Sequence, residues 1–438
     1  MPATHHLEVV AVDEKGAALK VDTVTLTSGL AVNRAVAVSG AARIALSGVN
    51  PGRGEVCLSF PDRPDFVLPL TFVKEADGPV PTFSQPAPLC CPVIQRSSET
   101  AVGAVKTVFT LPLTLATVHS EVLLVAGWDY SGGANNAAYC DTYREDLYSG
   151  STHRTGVKTS IPKRIDDSTV VTVFDFKSGE RSRTVKSASG WFELDRVLQG
   201  KVKPHLEKYS DPANLKRRHD DDSVSIRHVY DYITRLGTQA PGTLKEFHLF
   251  SHAWAGGPIL ADTNEDAAYQ PGGSSEAQRD PGDKDPRLKD FDPVNMPRLN
   301  DFKAAFAADS IVKVWGCMAT TAYRNLIRAT ASAKSDTETI SYNWSETDRR
   351  TTTAAKAKTY LRDVILKHNY MAKLSAAIGG SAKVYGAPPG MGANLRAVPL
   401  GKKTFNYMYV DGILYKREYD FLKSAMGLVP DDTGYLLF

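Results

Sequence analysis

Two apolar runs, each closing on one reactive side chain, constrain this chain more than any other feature. The first is Phe247-His248-Leu249-Phe250-Ser251-His252, which leads into Ala253-Trp254-Ala255-Gly256-Gly257. The second is Ile311-Val312-Lys313-Val314-Trp315-Gly316-Cys317. Runs this short and this continuously apolar fit strands buried on both faces, as in a parallel sheet covered by helices. Such strands present their last residues at the carboxyl edge of the sheet, where ligands bind in open α/β folds. A histidine and a cysteine delivered to one edge form a thiol–imidazole pair, the minimum for nucleophilic acyl transfer.

The surrounding pattern supports that geometry. From about Val102 apolar strand-like runs alternate with helix-period segments. Val122–Gly127 reads as a buried strand, with Asp129-Tyr130 in a glycine-rich turn after it. Ala137–Leu147 reads as a helix and Val170–Phe176 as a second strand. Val224–Leu236 carries Ile226, Val229, Tyr230, Ile233 and Leu236 on one helical face. Helices are expected around 301–308, after Cys317 through Ile327, and as one long element over Thr351–Ala377 ended by Gly379-Gly380. Ala382–Gly386 is a further strand, and Pro388-Pro389-Gly390-Met391-Gly392 a turn at its end. Alternation of this kind implies an α/β fold, a mainly parallel sheet flanked by helices with right-handed crossovers.

The N-terminal part differs. Up to about Lys74 the chain consists of short alternating runs such as LEVVAVD, KVDTVTLTS, ARIALSG and FVLPLTFV, separated by Gly, Asn, Asp and Pro. That spacing predicts an all-β, sandwich-like domain. EADGPVPTFSQPAPLCCP then reads as a linker. The expected organisation is a β-sandwich-like domain over 1–76, a Pro-rich linker over 77–101, an α/β catalytic domain over 102–400 and a C-terminal extension over 401–438. A chain of 438 residues needs more than one domain in any case. His5 and His6 read as solvated tail residues, and Cys57 as a core residue of a strand.

Charge and cysteine usage exclude several classes. The net charge is only +3, and the basic run Lys216–His219 is balanced at once by Asp220–Asp222, so nucleic acid is not expected as a partner. No stretch is long and apolar enough for a bilayer span. The start lacks a basic segment followed by an apolar one, so the expectation is synthesis in the cytoplasm, with any export through a signal-peptide-independent system. Five cysteines, with Cys90-Cys91 adjacent, give neither a disulfide framework nor a zinc ribbon. Zinc on His252 and Cys317 would need two further ligands that no CxxC or HExxH supplies. No cofactor and no metal are expected.

Within the strand-end reading, Cys317 is the nucleophile and His252 the general base and acid. The backbone N–H groups of Ala253 and Gly316 are candidates for the oxyanion hole. Asp129, Trp254 and Trp315 flank the strand ends and are the candidate substrate-pocket residues. A third, orienting carboxylate is not identified; Asp129 and Asp175 qualify only by lying at strand ends. Taken alone, a buried cysteine is usually a small hydrophobe and a histidine a satisfied core residue; their joint placement makes them chemical candidates. A serine-esterase reading on Ser251 is the alternative enzyme, although Leu249 and Ala253 stand where a nucleophile elbow wants glycine. The carboxylates of 280–292 could bind calcium, but read better as a solvated flexible loop.

The order strand–His, helix, strand–Cys resembles the caspase-like cysteine peptidases: caspases, metacaspases, legumain, gingipains, separase and CHAT-domain proteases. Ser251-His252-Ala253 and Gly316-Cys317 match their two catalytic turns, and LLVAGWDY followed by Tyr143-Arg144-Glu145-Asp146-Leu147 is similar to their opening strand and helix. The resemblance covers about Val122–Leu326. It implies hydrolysis of peptide bonds through a thioester on Cys317, with a protein or peptide as substrate. Only this resemblance implies a lid or a processing site in the loop over 280–292. Ala253 replaces the usual glycine, and Trp315 stands where metacaspases have aspartate, so a preference for basic residues is not implied. A sandwich domain joined to such a protease, without a signal peptide, fits a bacterial effector that meets its partner or delivery machinery through the β-domain. Caspase-like folds also include catalytically silent scaffolds, which is the non-enzymatic alternative.

Overall fold

Period-two burial builds the N-terminal part. In the computed structural model β1 (Thr4–Asp13) buries His5, Leu7, Val9 and Ala11 on one face, as alternation on a half-covered sheet requires. The structure describes residues 4–13, 16–61, 65–75, 78–82, 95–101, 104–115, 120–128, 136–166, 169–187, 190–200, 224–261, 263, 279, 283–380 and 382–438. It falls into two compact units, 1–118 with 184–195, and 119–183 with 196–438.

The first unit holds two sheets over a common core. β2 (Thr23–Ser28), β3 (Ala31–Val36), β5 (Gly52–Ser59), β6 (Phe66–Glu75) and β7 (Gly78–Thr82) form a five-stranded sheet in the order β3-β2-β5-β6-β7. β4 (Ala41–Ala45), β1, β9 (Ala104–Leu115) and β8 (Gln95–Ala101) form the other, in the order β4-β1-β9-β8. Leu7, Val9, Leu26, Val56, Leu68, Phe72, Phe109 and Leu111 meet between them. The sandwich expected over 1–76 therefore extends to residue 115. Its reason is the alternating run Val108–Leu113, which pairs parallel with β1, Leu7 opposite Phe109, and supplies core side chains that β1 alone could not cover. Residues 95–101, expected as linker, are a strand, while 83–94, including Cys90 and Cys91, lie outside the described residues. His5 is no tail residue: it is buried and stacks on Phe109. Cys57 faces away from the core between inward Val56 and Leu58 and is half-buried.

The second unit is mixed α/β. Its strands β10 (Ser120–Ala126), β13 (Thr169–Asp175), β16 (Leu244–Phe250), β19 (Phe306–Val314), β22 (Lys383–Gly386) and β25 (Leu436–Leu437) form a sheet in the order β13-β10-β16-β19-β22-β25, while β14 (Glu180–Ser187) and β15 (Gly190–Leu198) straddle the division at 184–195. The pairs β13–β10, β10–β16, β16–β19 and β19–β22 are parallel, and only β25 among these closes antiparallel on β22. Four short hairpins decorate it: β11/β12 (Ser151–Thr152 and Thr159–Ser160), β17/β18 (His252–Trp254 and Gly257–Ile259), β20/β21 (Thr339–Asn343 and Arg349–Thr353) and β23/β24 (Asn394–Leu400 and Lys403–Tyr409). β10 is buried along its whole length, as a central parallel strand should be.

Helices cover the connections. Asn136–Ser149 follows β10, Ile226–Gln239 precedes β16, Leu299–Ala304 precedes β19 and Thr321–Ser332 follows it. The helix expected over Thr351–Ala377 is broken. Thr351–Thr353 belong to β21, a helix spans Ala354–Tyr360, and a π-turn over Leu361–Ile365 ends the run. Asn369 then caps a new helix, Tyr370–Ile378, by accepting a hydrogen bond from the Ala372 N–H at 2.9 Å. Gly379 closes it in the left-handed conformation, φ +81°. The C-terminal residues are not an extension: Leu436–Leu437 complete the large sheet, so the unit runs to the end of the chain. No described helix is long and apolar enough to cross a membrane.

Candidate active site

Strand order locates the crevice. The chain leaves β10 towards β13 on one side and leaves β16 towards β19 on the other. Between β10 and β16 the connections diverge, and this switch point is where an open α/β sheet binds ligands. The chain after β16 does not enter a helix there; it folds into the hairpin β17/β18, with His252 opposite Ile259 and Trp254 opposite Gly257. The hairpin's return strand leads back onto the switch point, the Trp128 N–H donating to Leu260 O at 2.7 Å and the Gly127 N–H to Phe250 O at 2.8 Å. His252 is thus held on a short arm over the carboxyl edge.

Asp285 fixes that arm. Its carboxylate accepts the N–H groups of Leu260 and Ala261 at 2.7 Å and of Thr263 at 2.6 Å. Asp283 and Asp290 are likewise buried, and pair with Arg287 and Arg279 respectively. The solvated acidic loop expected here is therefore, over 283–290, a closed ion-pair cluster, because each carboxylate taken from water needs a cation or amides in exchange. No group of three or more His, Cys, Asp or Glu among the described residues could hold a metal ion. Residues 264–278 and 280–282, the rest of the expected lid or processing segment, lie outside the described residues.

Cys317 reaches the same edge from β19. Gly316 makes this approach possible: a Cβ there would lie 2.3 Å from the Ala253 Cβ, 2.8 Å from Ser251 O and 2.9 Å from Ala253 N. The residue before the cysteine thus touches both neighbours of His252, and no side chain larger than hydrogen fits. Ala253 and Gly316, the expected oxyanion residues, meet at this junction. The thiol's hydrogen bond among the described residues is not to His252: Sγ accepts the Ala393 N–H at 3.1 Å. That donor comes from the turn after β22, docked by Met318 N–H to Met391 O at 2.9 Å and Gly390 N–H to Met318 O at 2.7 Å. Burial pushes the Cys317 thiol up, and the Ala393 N–H works against that. In this conformation the thiol rests protonated.

The remaining sequence candidates separate. Asp129 lies outside the described residues. Asp175 accepts the Lys177 N–H at 2.9 Å and so caps its own turn. Trp254 is 49% exposed at the hairpin tip, over Gly256. Trp315 is buried and lies on the sheet face, stacked on Phe250 at 5.3 Å; it lines a cavity rather than the junction. Ser251 is 3% exposed and its hydroxyl donates to the His252 carbonyl at 2.7 Å, so it is not presented as an elbow nucleophile.

Sequence reasoning missed a polar layer on that sheet face. Glu246 and His248 of β16 and Lys313 of β19 point to one side, with His248 opposite Lys313. His248 and Lys313, together with Tyr143, Arg164, Trp315 and Asp431, border a cavity of about 210 Å³. The Trp315 indole N–H donates to His248 Nδ1 at 3.0 Å. Indole can only donate, so Nδ1 must accept, and the proton sits on Nε2, 2.9 Å from Glu246 Oε2. Tyr143 donates to the same oxygen at 2.6 Å, and Arg164 stands 3.1 Å from Oε1. Burial lowers His248, while for Glu246 the burial effect is outweighed by His248 and Arg164, which hold the carboxyl below its usual value. His248 is a neutral imidazole locked in one tautomer and so no general base. The signal was legible: a glutamate, a histidine and a lysine in otherwise apolar strands must be paired.

Comparison with protein-family models finds no match, and comparison with curated proteins finds none. Among solved structures the chain is similar to the dioxygenase domain of a dioxygenase carbohydrate-binding protein fusion from the cellulolytic bacterium Streptomyces sp. SirexAA-E. Identity is 15%, the match covers 26% of this chain and 82% of that one, and the TM-score is 0.19. A likeness this slight carries no argument about fold or chemistry.

Proposed function

We propose that this protein is a caspase-like cysteine endopeptidase, with Cys317 as nucleophile and His252 as general base and acid. One observation supports it above the others: Gly316 packs against Ser251 and Ala253, so consecutive parallel strands bring thiol and imidazole residues to one carboxyl edge. In the reaction His252 takes the thiol proton as Sγ attacks the scissile carbonyl carbon. The oxyanion takes hydrogen bonds from backbone N–H groups at the 253/316 junction. Collapse of the tetrahedral species breaks the C–N bond, His252 returns the proton to the leaving amine, and water hydrolyses the thioester. The N-terminal sandwich fits a partner-binding module, as in an exported bacterial effector.

The test is paired. Wild type and Cys317→Ala are incubated with a complex protein extract, and new N-termini are identified by mass spectrometry. Termini produced only by wild type are expected, and their flanking residues give the specificity. Identical termini from both proteins would remove the peptidase reading.

A further inference from the structure

One carboxylate on the wall of the sheet-face cavity has no cation to match it among the described residues. The cations lining that cavity are Arg154, Arg164 and Lys313, and the carboxylates are Asp146, Asp431 and Asp432. Each cation is taken. Arg154 pairs with Asp432 at 3.3 Å, Arg164 stands 3.1 Å from Glu246, and Lys313 pairs with Asp431. His248 is neutral, as its tautomer requires. Asp146 alone is left without an ion pair, so the cavity keeps one uncompensated negative charge.

Asp146 is held in place and kept ionised. It lies on the helix Asn136–Ser149 and is 6% exposed. The hydroxyls of Thr152 and Tyr407 hydrogen-bond to its carboxyl. Both hydroxyls are themselves fixed by the backbone: Tyr407 accepts the His153 N–H at 2.9 Å and Thr152 the Arg154 N–H at 3.3 Å. Burial pushes the Asp146 carboxyl up to about 6 against the effect of these hydroxyls, so at neutral pH it carries its charge. A carboxylate taken from water without a cation opposes folding. Every other carboxylate on this wall has one.

The rest of the wall says which cation fits. Tyr139, Tyr143, Phe250, Trp315 and Tyr407 line the same cavity. Aromatic rings attract a cation through their faces and also cover an apolar body. One carboxylate among aromatic rings is no metal site, and no group of three or more His, Cys, Asp or Glu among the described residues could hold a metal ion. The volume is below the about 300–1,000 Å³ of drug-sized pockets, so the ligand is small. Arg154, Asp431, Asp432 and Thr433 also line an adjoining groove of about 470 Å³, and the Asp432 side chain is 71% exposed, so solvent reaches the cavity from this side. His252, Ala253, Gly316 and Cys317 do not line it.

We propose that this cavity binds a small organic cation, an ammonium group on an apolar or aromatic body, with Asp146 as its counter-ion. The ligand supplies the charge that the chain withholds from Asp146, and its body lies among the aromatic side chains. The site is separate from the strand-end junction and does not depend on reading Cys317 as a nucleophile.

The experiment titrates the full chain at neutral pH with benzylamine, with benzyl alcohol as a neutral analogue of the same shape, and with benzoate as an anion. Binding is read from the NMR signals of the His248 ring, which lines the cavity. Benzylamine should move these signals saturably, and benzyl alcohol and benzoate should bind at least about tenfold more weakly. Asp146→Asn should weaken benzylamine by about tenfold to a hundredfold and leave benzyl alcohol unchanged; a merely structural role would move both ligands alike. Cys317→Ala should bind benzylamine as wild type does. No movement with benzylamine, equal binding of amine and alcohol, or tighter binding of benzoate overturns the assignment. So does a folded Asp146→Asn that binds benzylamine unchanged, or a loss of binding in Cys317→Ala. If Asp146→Asn does not fold, the three ligands on wild type decide by themselves. Binding by a chain that cuts no protein supports the cation site and rejects the peptidase reading alone.

Discussion

Gly316→Ala is the sharpest perturbation of the convergence at the strand ends. The new methyl carbon would lie 2.3 Å from the Ala253 Cβ and 2.8 Å from Ser251 O, whereas non-bonded carbons sit at about 3.5–4.0 Å. The strand ends must separate by about 1 Å, and both obstacles belong to the segment that holds His252. Overpacking of this order costs about 1–3 kcal/mol, or about 2–4 °C of melting temperature per kcal/mol for a domain of this size. A 1 Å misplacement of a reacting group costs about 100-fold in rate. Melting and cleavage of a substrate identified by the terminal mapping should therefore both fall, the activity by about two orders of magnitude. Ala253→Gly in the same chain removes the shorter contact and should restore part of each, leaving the Ser251 O contact. A Gly316→Ala protein that melts and cuts like wild type, or a second substitution that restores nothing, refutes the reasoning.

The polar layer beneath the site gives two further expectations. His248 has a folded pKa below its ordinary 6.5 and Glu246 one below its ordinary 4.5. In both cases the unfolded chain binds the proton first, so stability is fully present above pH 6.5 and is lost on acidification, first through His248 and then, below 4.5, through Glu246. Urea unfolding of wild type and His248→Gln between pH 7.5 and 5.5 should show a wild-type slope steeper by up to about 1.4 kcal/mol per pH unit, and parallel slopes would count against a histidine held neutral. Trp315→Phe keeps the stack on Phe250 but removes the donor to His248 Nδ1. It should cost about 1–3 kcal/mol and free that nitrogen to take a proton, so the imidazole pKa followed by NMR should rise; an unmoved pKa rejects the tautomer assignment.

Much of this molecule was legible along the chain. β10, β13, β16 and β19 lie within a few residues of the apolar runs that predicted them, because a strand buried on both faces has no polar face to confuse its reading. The helices Asn136–Ser149 and Ile226–Gln239 were equally plain. Boundaries failed where pairing outweighed composition: 95–101 is polar enough to pass for linker, yet it pairs with β9. The helix over Thr351–Ala377 failed because apolar spacing does not register a π-turn and a restart at Asn369.

By itself the sequence determined local things: which segments become strands, which residues end them, and that Gly316 precedes a cysteine. These depend on neighbours a few residues apart, through side-chain period and burial. Only the tertiary structure decided what meets what. Gly316 touches Ala253, Ala393 donates to Cys317, and Leu436–Leu437, from the end of the chain, pair with β22. It also turned the carboxylates of 283–290 from a solvated loop into a buried brace for the His252 arm, through Arg279, Arg287 and three amides. Such pairings are set by strand order and register, and residues distant in the chain carry no local mark of the partner that sheet pairing will give them.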